Sequence, residues 1–242
     1  MKGVGFLPVF ILGAVVGLSC NKQANNVKRG AVSAFTIVNA VVESDPMIAN
    51  LASADSVKVF YSTATRISYG SSYQYTVPSG ILPTVIYEET DTVHPVYKNN
   101  IELSPAGIHS LFLSGVNSNQ SMPDTLLTED HPPFHSSTDS SIGVRFVNLS
   151  PGSPPISINI QGKPFGSEVG SLPYKSITPY KTYGASSISI QYVFEFRDAS
   201  SDSLLTTLTF PANPFRNITI VINGLVKGAG PQLLSTFLIN NF

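Results

Sequence analysis

Apolar and polar positions alternate with a period of two along much of the chain. Ile156, Ile158 and Ile160 fall on one side of an extended segment, and Ser157 and Asn159 fall on the other. β-Branched and aromatic residues suit a pleated, half-buried surface. The Gly, Pro, Ser and Asn residues between these runs mark turns. No stretch holds a convincing helical apolar period. Short strands at regular spacing with turn signals between them predict an all-β fold, a sandwich or a barrel.

The same pattern recurs along the chain. Residues 34–39 (Ala-Phe-Thr-Ile-Val-Asn) read like 143–148 (Gly-Val-Arg-Phe-Val-Asn), and each is followed by an alternating strand, at 57–61 and 156–160. Downstream, Tyr69-Gly70-Ser71 pairs with Phe165-Gly166-Ser167, and Tyr73 with Pro78 repeats the spacing of Tyr174 with Pro179. Strands at 84–88 and 192–197 come next, then 111–116 against 220–225, and Leu126-Leu127-Thr128 against Leu233-Leu234-Ser235. Apolar strands resemble one another by composition, so a single pair says little, but a shared order along the chain says more. The order predicts two tandem immunoglobulin-like antiparallel β-sandwich domains, 31–130 and 141–242, joined by the polar, proline-containing stretch 131–140. Each domain would hold about seven strands, enough to bury a core of its own.

The N-terminus follows a different rule. Met1-Lys2 gives a positive start, an apolar run covers 4–18, and Ser19-Cys20 leads into the polar stretch 21–26. That is the pattern of a cleaved signal peptide, and the run falls short of the roughly 20 apolar residues of a membrane-spanning helix. Val16-Gly17-Leu18-Ser19-Cys20 resembles a bacterial lipobox, although Gly17 stands where a larger aliphatic residue is usual. The resemblance implies a signal peptide over 1–19 and lipidation of Cys20. The partner of the N-terminus is then a membrane, held by acyl chains that each contribute about 0.8 kcal/mol per buried CH₂. Residues 20–30 lack apolar periodicity and read as a flexible tether. Asn21 and Lys22 follow the cysteine in place of an acidic residue. By similarity to known sorting rules, this points to the outer membrane, with the body either periplasmic or surface-exposed.

Charge and reactive residues remove several classes of function. The net charge is −1 and only 12% of residues are charged, so there is no basic footprint for nucleic acid. The single cysteine leaves no internal disulfide framework. Of the four histidines, His131 and His135 stand near Glu129 and Asp130, but the prolines between them prevent the helical spacing of familiar zinc sites. The segment reads as a solvated linker, and neither a metal nor a cofactor is expected. No G-x-S-x-G elbow, phosphate loop or calcium loop is present, so no catalytic residue is assigned and the chain is read as a non-enzyme. Tyrosines are the one suggestive feature. Tyr69, Tyr73 and Tyr75 crowd one segment, and Tyr174, Tyr180 and Tyr183 crowd its counterpart. Tyr73, Tyr75, Tyr174 and Tyr180 are the candidate ligand-binding residues, since a tyrosine combines an apolar face with a hydroxyl. Strand tyrosines also pack within and across sheets, which is the competing account.

Each copy runs through a strand ending in Val-Asn, an alternating strand, an aromatic-Gly-Ser turn and a late apolar strand ending in Gly. This succession resembles domain-of-unknown-function family 4397. Residues 144–148, leading into Ser150-Pro151-Gly152-Ser153-Pro154, match it better than the first copy, which departs by an insertion between Asn39 and Val57. The resemblance implies an extracytoplasmic bacterial protein and supplies no catalytic residues. Two functions then stand side by side. One is a non-catalytic binding or accessory module for a glycan or an envelope protein, and the other is a structural subunit or spacer of a surface assembly.

Overall fold

Two of the runs, 142–149 and 218–223, carry apolar residues on both faces (Val144 and Phe146 against Val147 and Leu149, Ile218 and Ile220 against Val221), and strands of that kind must be covered on both sides. The computed structural model shows how this is done. It describes residues 31–51, 63–117, 122–136, 138–186 and 190–241, so the signal peptide, Cys20, the tether and the alternating segment 57–61 lie outside the described residues.

The fold is all-β and built of sandwiches. The first half holds β1 (Val32–Val42), β2 (Met47–Asn50), β3 (Arg66–Ile67), β4 (Ser71–Pro78), β5 (Gly80–Glu88), β6 (Tyr97–Leu103), β7 (Ile108–Val116) and β8 (Asp124–Glu129). The second half holds β9 (Ser141–Asn148), β10 (Ile156–Ile160), β11 (Val169–Leu172), β12 (Ser176–Ile177) and β13 (Lys181–Gly184). It continues through β14 (Ile190–Asp198), β15 (Leu204–Ala212), β16 (Arg216–Asn223) and β17 (Ser235–Asn241), with a 3-10 turn at Gly230–Gln232. Each half contributes an outer sheet, β3-β2-β5-β6 or β11-β10-β14-β15, and an inner sheet, β4-β1-β7-β8 or β12-β9-β16-β17 with β13 also on β9. Pairing is antiparallel except for β1 with β7 and β9 with β16, which run parallel at the centre of each inner sheet.

Three apolar clusters organise the body. Phe35, Ile37, Leu111 and Leu113 face Met47, Ile86 and Ile101 between the two sheets of the first half. Val144, Phe146, Ile220 and Ile222 face Ile156, Ile158, Phe194 and Phe196 in the second. The third cluster lies between the halves, where Val38, Ala40 and Phe112 meet Val147, Leu149, Val221 and Ile239. The two inner sheets therefore pack face to face, and this is why the central strands carry apolar residues on both faces.

Strand registers set the halves in correspondence. Asn39 pairs with Leu113 as Asn148 pairs with Ile222. The Asn39 side chain donates to the Ile67 carbonyl at 3.1 Å and accepts from Val41 N–H, while Asn148 donates to the Leu172 carbonyl at 3.0 Å and accepts from Ser150 N–H. Left-handed backbone recurs at matching places: Glu43 and Gly152, Gly70 and Lys175, Ala106 and Phe215, Gly115 and Gly224.

Some equivalences differ from those read in the sequence. Gly70 N–H donates to the Asn39 carbonyl and Lys175 N–H to the Asn148 carbonyl, so Tyr69-Gly70-Ser71 matches Tyr174-Lys175-Ser176 rather than Phe165-Gly166-Ser167. Leu111 pairs with Leu127 as Ile220 pairs with Leu238, which moves the last equivalence from Leu234 to Leu238. The place held by β10 in the second half is taken in the first by β2, which pairs with β5 as β10 pairs with β14.

Candidate functional site

The predicted tyrosines separate into two groups. Tyr73 and Tyr75 stand on β4 opposite Ile37 and Phe35, with rings 4.8 Å apart edge to face. Tyr75 packs against the core of the first half, where burial pushes its hydroxyl up to about 12, and Tyr73 is 43% exposed. Tyr174 and Tyr180 are engaged between the halves. The Tyr174 hydroxyl lies 2.9 Å from Ser114 Oγ and donates to Asp124 at 3.0 Å, and Lys175 pairs with the same carboxylate at 2.9 Å. Burial pushes the Tyr174 hydroxyl up to about 12, and the hydrogen bond from Lys175 holds the Asp124 carboxyl below its usual range. Tyr69 corresponds to Tyr174, and its hydroxyl is turned toward Asn223, the counterpart of Ser114, without forming a well-made hydrogen bond.

A buried polar clasp lies at the other end of this contact. Arg145 on β9 points into the space between the inner sheets and donates from Nη1 to Asp130 Oδ1 at 2.7 Å. The two side chains are 5% and 0% exposed. Asp130 also accepts from Ser110 at 2.6 Å and Thr128 at 2.7 Å. Arg145 Nε donates to Thr219, which in turn donates to Asn241 at 2.6 Å, and the guanidinium lies 4.8 Å over the Tyr180 ring. Arg145 Nη2 has no hydrogen-bond partner. By register Asn241 is the counterpart of Asp130 and Thr219 that of Ser110, so one arginine bridges the same polar position of both halves.

Two histidine clusters were not assigned from the sequence. In the first, Ser104 Oγ donates to Glu129 Oε1 at 2.6 Å and lies 3.1 Å from His109 Nε2, which also accepts from Ser104 N–H at 3.2 Å. In a serine relay the acid holds the far nitrogen of the imidazole, and the serine offers its proton to the near one. Here the carboxylate takes the serine proton, so the arrangement orders polar groups without activating a nucleophile. These residues, with Ser79, Glu102 and Pro105, line an open cleft of about 620 Å³. A Cβ at Gly107 would lie 2.1 Å from Ser104 Oγ and 2.6 Å from His109 Nε2, so the cluster needs glycine there. The corresponding positions in the second half are Asn213, Ile218 and Asn240, and the cluster is not repeated.

The second cluster pins the joining stretch. His135 Nδ1 lies 3.0 Å from Asp139 and 3.2 Å from Ser141, and Nε2 lies 3.1 Å from Asn217 Oδ1. Asn217 Nδ2 donates to the Pro133 carbonyl at 2.9 Å, which fixes the amide so that its oxygen faces the ring. The stretch 131–140 is thus not simply solvated, because His135 is bonded into the start of the second half. Glu129, Asp130, His131 and His135 turn to separate partners or to solvent. Among the described residues, no group of three or more His, Cys, Asp or Glu side chains is placed to hold a metal ion. Also among the described residues, no helix is long and apolar enough to cross a membrane.

No protein-family model matches this chain, and no curated protein matches it.

Proposed function

We propose that the chain is a non-catalytic lipoprotein of the cell envelope, anchored to the outer membrane through acyl chains on Cys20, that serves as a binding or accessory module for a glycan or an envelope protein. The observation that carries the binding reading is the cleft over Ser104, His109 and Glu129. The two copies share strand order and register, whereas this polar cleft belongs to the first copy alone. Glu102, Glu129 and Ser104 offer acceptors and a hydroxyl at its rim, a set suited to sugar hydroxyls or backbone amides. The lipobox-like Cys20 and the signal-peptide pattern before it support the envelope address.

The test is binding of the purified chain to glycan arrays and envelope-protein fractions, alongside the Glu102→Gln and Glu129→Gln variants. A ligand whose affinity falls in those variants is the expected result. Binding that the variants leave unchanged, or none at all, refutes the role of the cleft. Mass spectrometry of the N-terminal peptide tests the anchor separately, and an unmodified Cys20 removes it. The second reading, a structural subunit, is favoured by one specific observation: β15 is an edge strand without a charged residue.

A further inference from the structure

Edge strands present unpaired backbone groups, and proteins commonly guard them with charges, proline or short length. The two outer sheets end in corresponding edges, β6 and β15. β6 carries Lys98 and Glu102 as guards. β15 (Leu-Leu-Thr-Thr-Leu-Thr-Phe-Pro-Ala, Leu204–Ala212) carries no charge over nine residues. Among the described residues, no strand pairs with its far side.

The direction of its free backbone groups follows from the ladder. Val193 accepts from Gln161 N–H, so its carbonyl points away from β15. Thr209 stands opposite Val193 and Thr207 opposite Glu195. By the two-residue period of an antiparallel ladder, the N–H and C=O groups of Thr207 and Thr209 point outward. Pro211 has the same parity, where its missing N–H costs no bond within the sheet. The Thr207 and Thr209 side chains lie on the solvent face, and Leu208 faces the core.

This outward array is its own complement. An antiparallel copy centred on Leu208 sets Thr207 opposite Thr209 of the other molecule and Thr209 opposite its Thr207. Both are hydrogen-bonded pairs, with threonine beside threonine on the solvent face. No like charges meet, and Pro211, which has no N–H to donate, falls beyond the two threonine pairs at the end of the array.

We propose that β15 is a self-pairing edge, through which two copies of this chain join their outer sheets antiparallel across a two-fold axis at Leu208. This deepens the structural-subunit reading by naming the partner as a second copy and the surface as β15. Membrane anchoring at Cys20 would favour the pairing by concentrating copies on one surface, although the geometry does not depend on it.

The test is sedimentation equilibrium of the full chain in density-matched detergent, with Thr207→Pro and Thr209→Lys as variants. The proline removes one outward N–H and no bond to β14, and the lysine places a guard on the solvent face, so both variants should keep the parent circular dichroism spectrum. The expected result is a dimer for the parent chain and at least a tenfold weaker association in each variant. A parent chain that stays monomeric at roughly 100 µM, a concentration that detects even weak association, overturns the proposal. A dimer that both folded variants retain also overturns it, but leaves the structural-subunit reading standing on another surface.

Discussion

Removing the Asp130 carboxylate should destabilise the protein far more than removing any exposed charge. Asp130 and Arg145 are almost fully removed from water, and their nitrogen and oxygen are 2.7 Å apart. At a charge separation near 4 Å and an effective dielectric of about 20, which holds for buried protein sites as well, the attraction is about 4 kcal/mol. Desolvation of the two ions costs several kcal/mol each, so the intact pair adds little net stability. Asp130→Ala keeps the cost of burying Arg145 and loses the attraction. It also strips Ser110 and Thr128 of their acceptor, in a site where Arg145 Nη2 already lacks a partner. The expected loss is about 3–5 kcal/mol, which for a chain of this size lowers Tm by roughly 6–20 °C. The double variant Asp130→Leu/Arg145→Met removes both charges and should recover most of that loss. Thermal unfolding followed by circular dichroism, with urea titration of the four proteins, measures the cycle. A single-variant loss under about 1 kcal/mol, the ordinary value of a surface pair, would refute the reasoning, as would a double variant as unstable as the sum of the singles.

Phe112 is fully buried between the halves, so Phe112→Ala should cost about 3–5 kcal/mol, read as a shift in the urea midpoint. Gly70 has φ +70° and its nearest side-chain neighbour, Asn223, would be 3.8 Å from an added Cβ. Gly70→Ala therefore meets no clash and should cost only the left-handed backbone penalty, about 1–2 kcal/mol. Stability should also fall at both extremes of pH through the Tyr174 contact. The Asp124 carboxyl is depressed by Lys175, so its contribution is present above the usual carboxylate range and is lost as pH falls through its folded value. The Tyr174 hydroxyl is raised to about 12 from 10, so its contribution is complete below pH 10 and is lost between pH 10 and 12. Tyr174→Phe should flatten the alkaline fall of Tm, and an unchanged slope would contradict the assignment.

The all-β architecture was legible because period-two alternation of apolar and polar residues leaves a direct trace in strands such as β10, where Ile156 and Ile158 join the core and Ser157 and Asn159, also buried, alternate with them. The correspondence of 34–39 with 143–148 was legible for the same reason. The turns misled because residue type and backbone conformation part company there. Aromatic-Gly-Ser occurs at 69–71 and at 165–167 and both glycines are left-handed, yet the counterpart of Gly70 is Lys175, which adopts the same conformation without announcing it in its residue type. The β2 strand was missed because its apolar signal is four residues long beside the longer run at 57–61. The clasp was unreadable for a different reason. Arg145 sits mid-strand and Asp130 just beyond β8, and only the packing of one inner sheet on the other brings them together. The same packing explains why Tyr174 and Tyr180, chosen as ligand-binding candidates, reach across to the first half or lie beneath Arg145.

The contact between the halves also constrains where function can sit. Val38 corresponds to Val147, Ala40 to Leu149, Phe112 to Val221 and Leu126 to Phe237, so both copies bring the same face to it. An interface built from equivalent faces behaves like that of a two-fold dimer: a change at one position must be answered by the facing copy. Such positions are poorly suited to acquiring a ligand, because every substitution is tested first against packing. Positions outside the contact carry no such coupling, and there the copies differ. The first half has the Ser104, His109 and Glu129 cleft where the second has Asn213, Ile218 and Asn240. The second half has an uncharged β15 where the first has Lys98 and Glu102 on β6. Packing thus keeps the contact face of each copy apolar and leaves the cleft and the edge free to diverge, so the proposed ligand capture falls on the first half and the proposed pairing on the second.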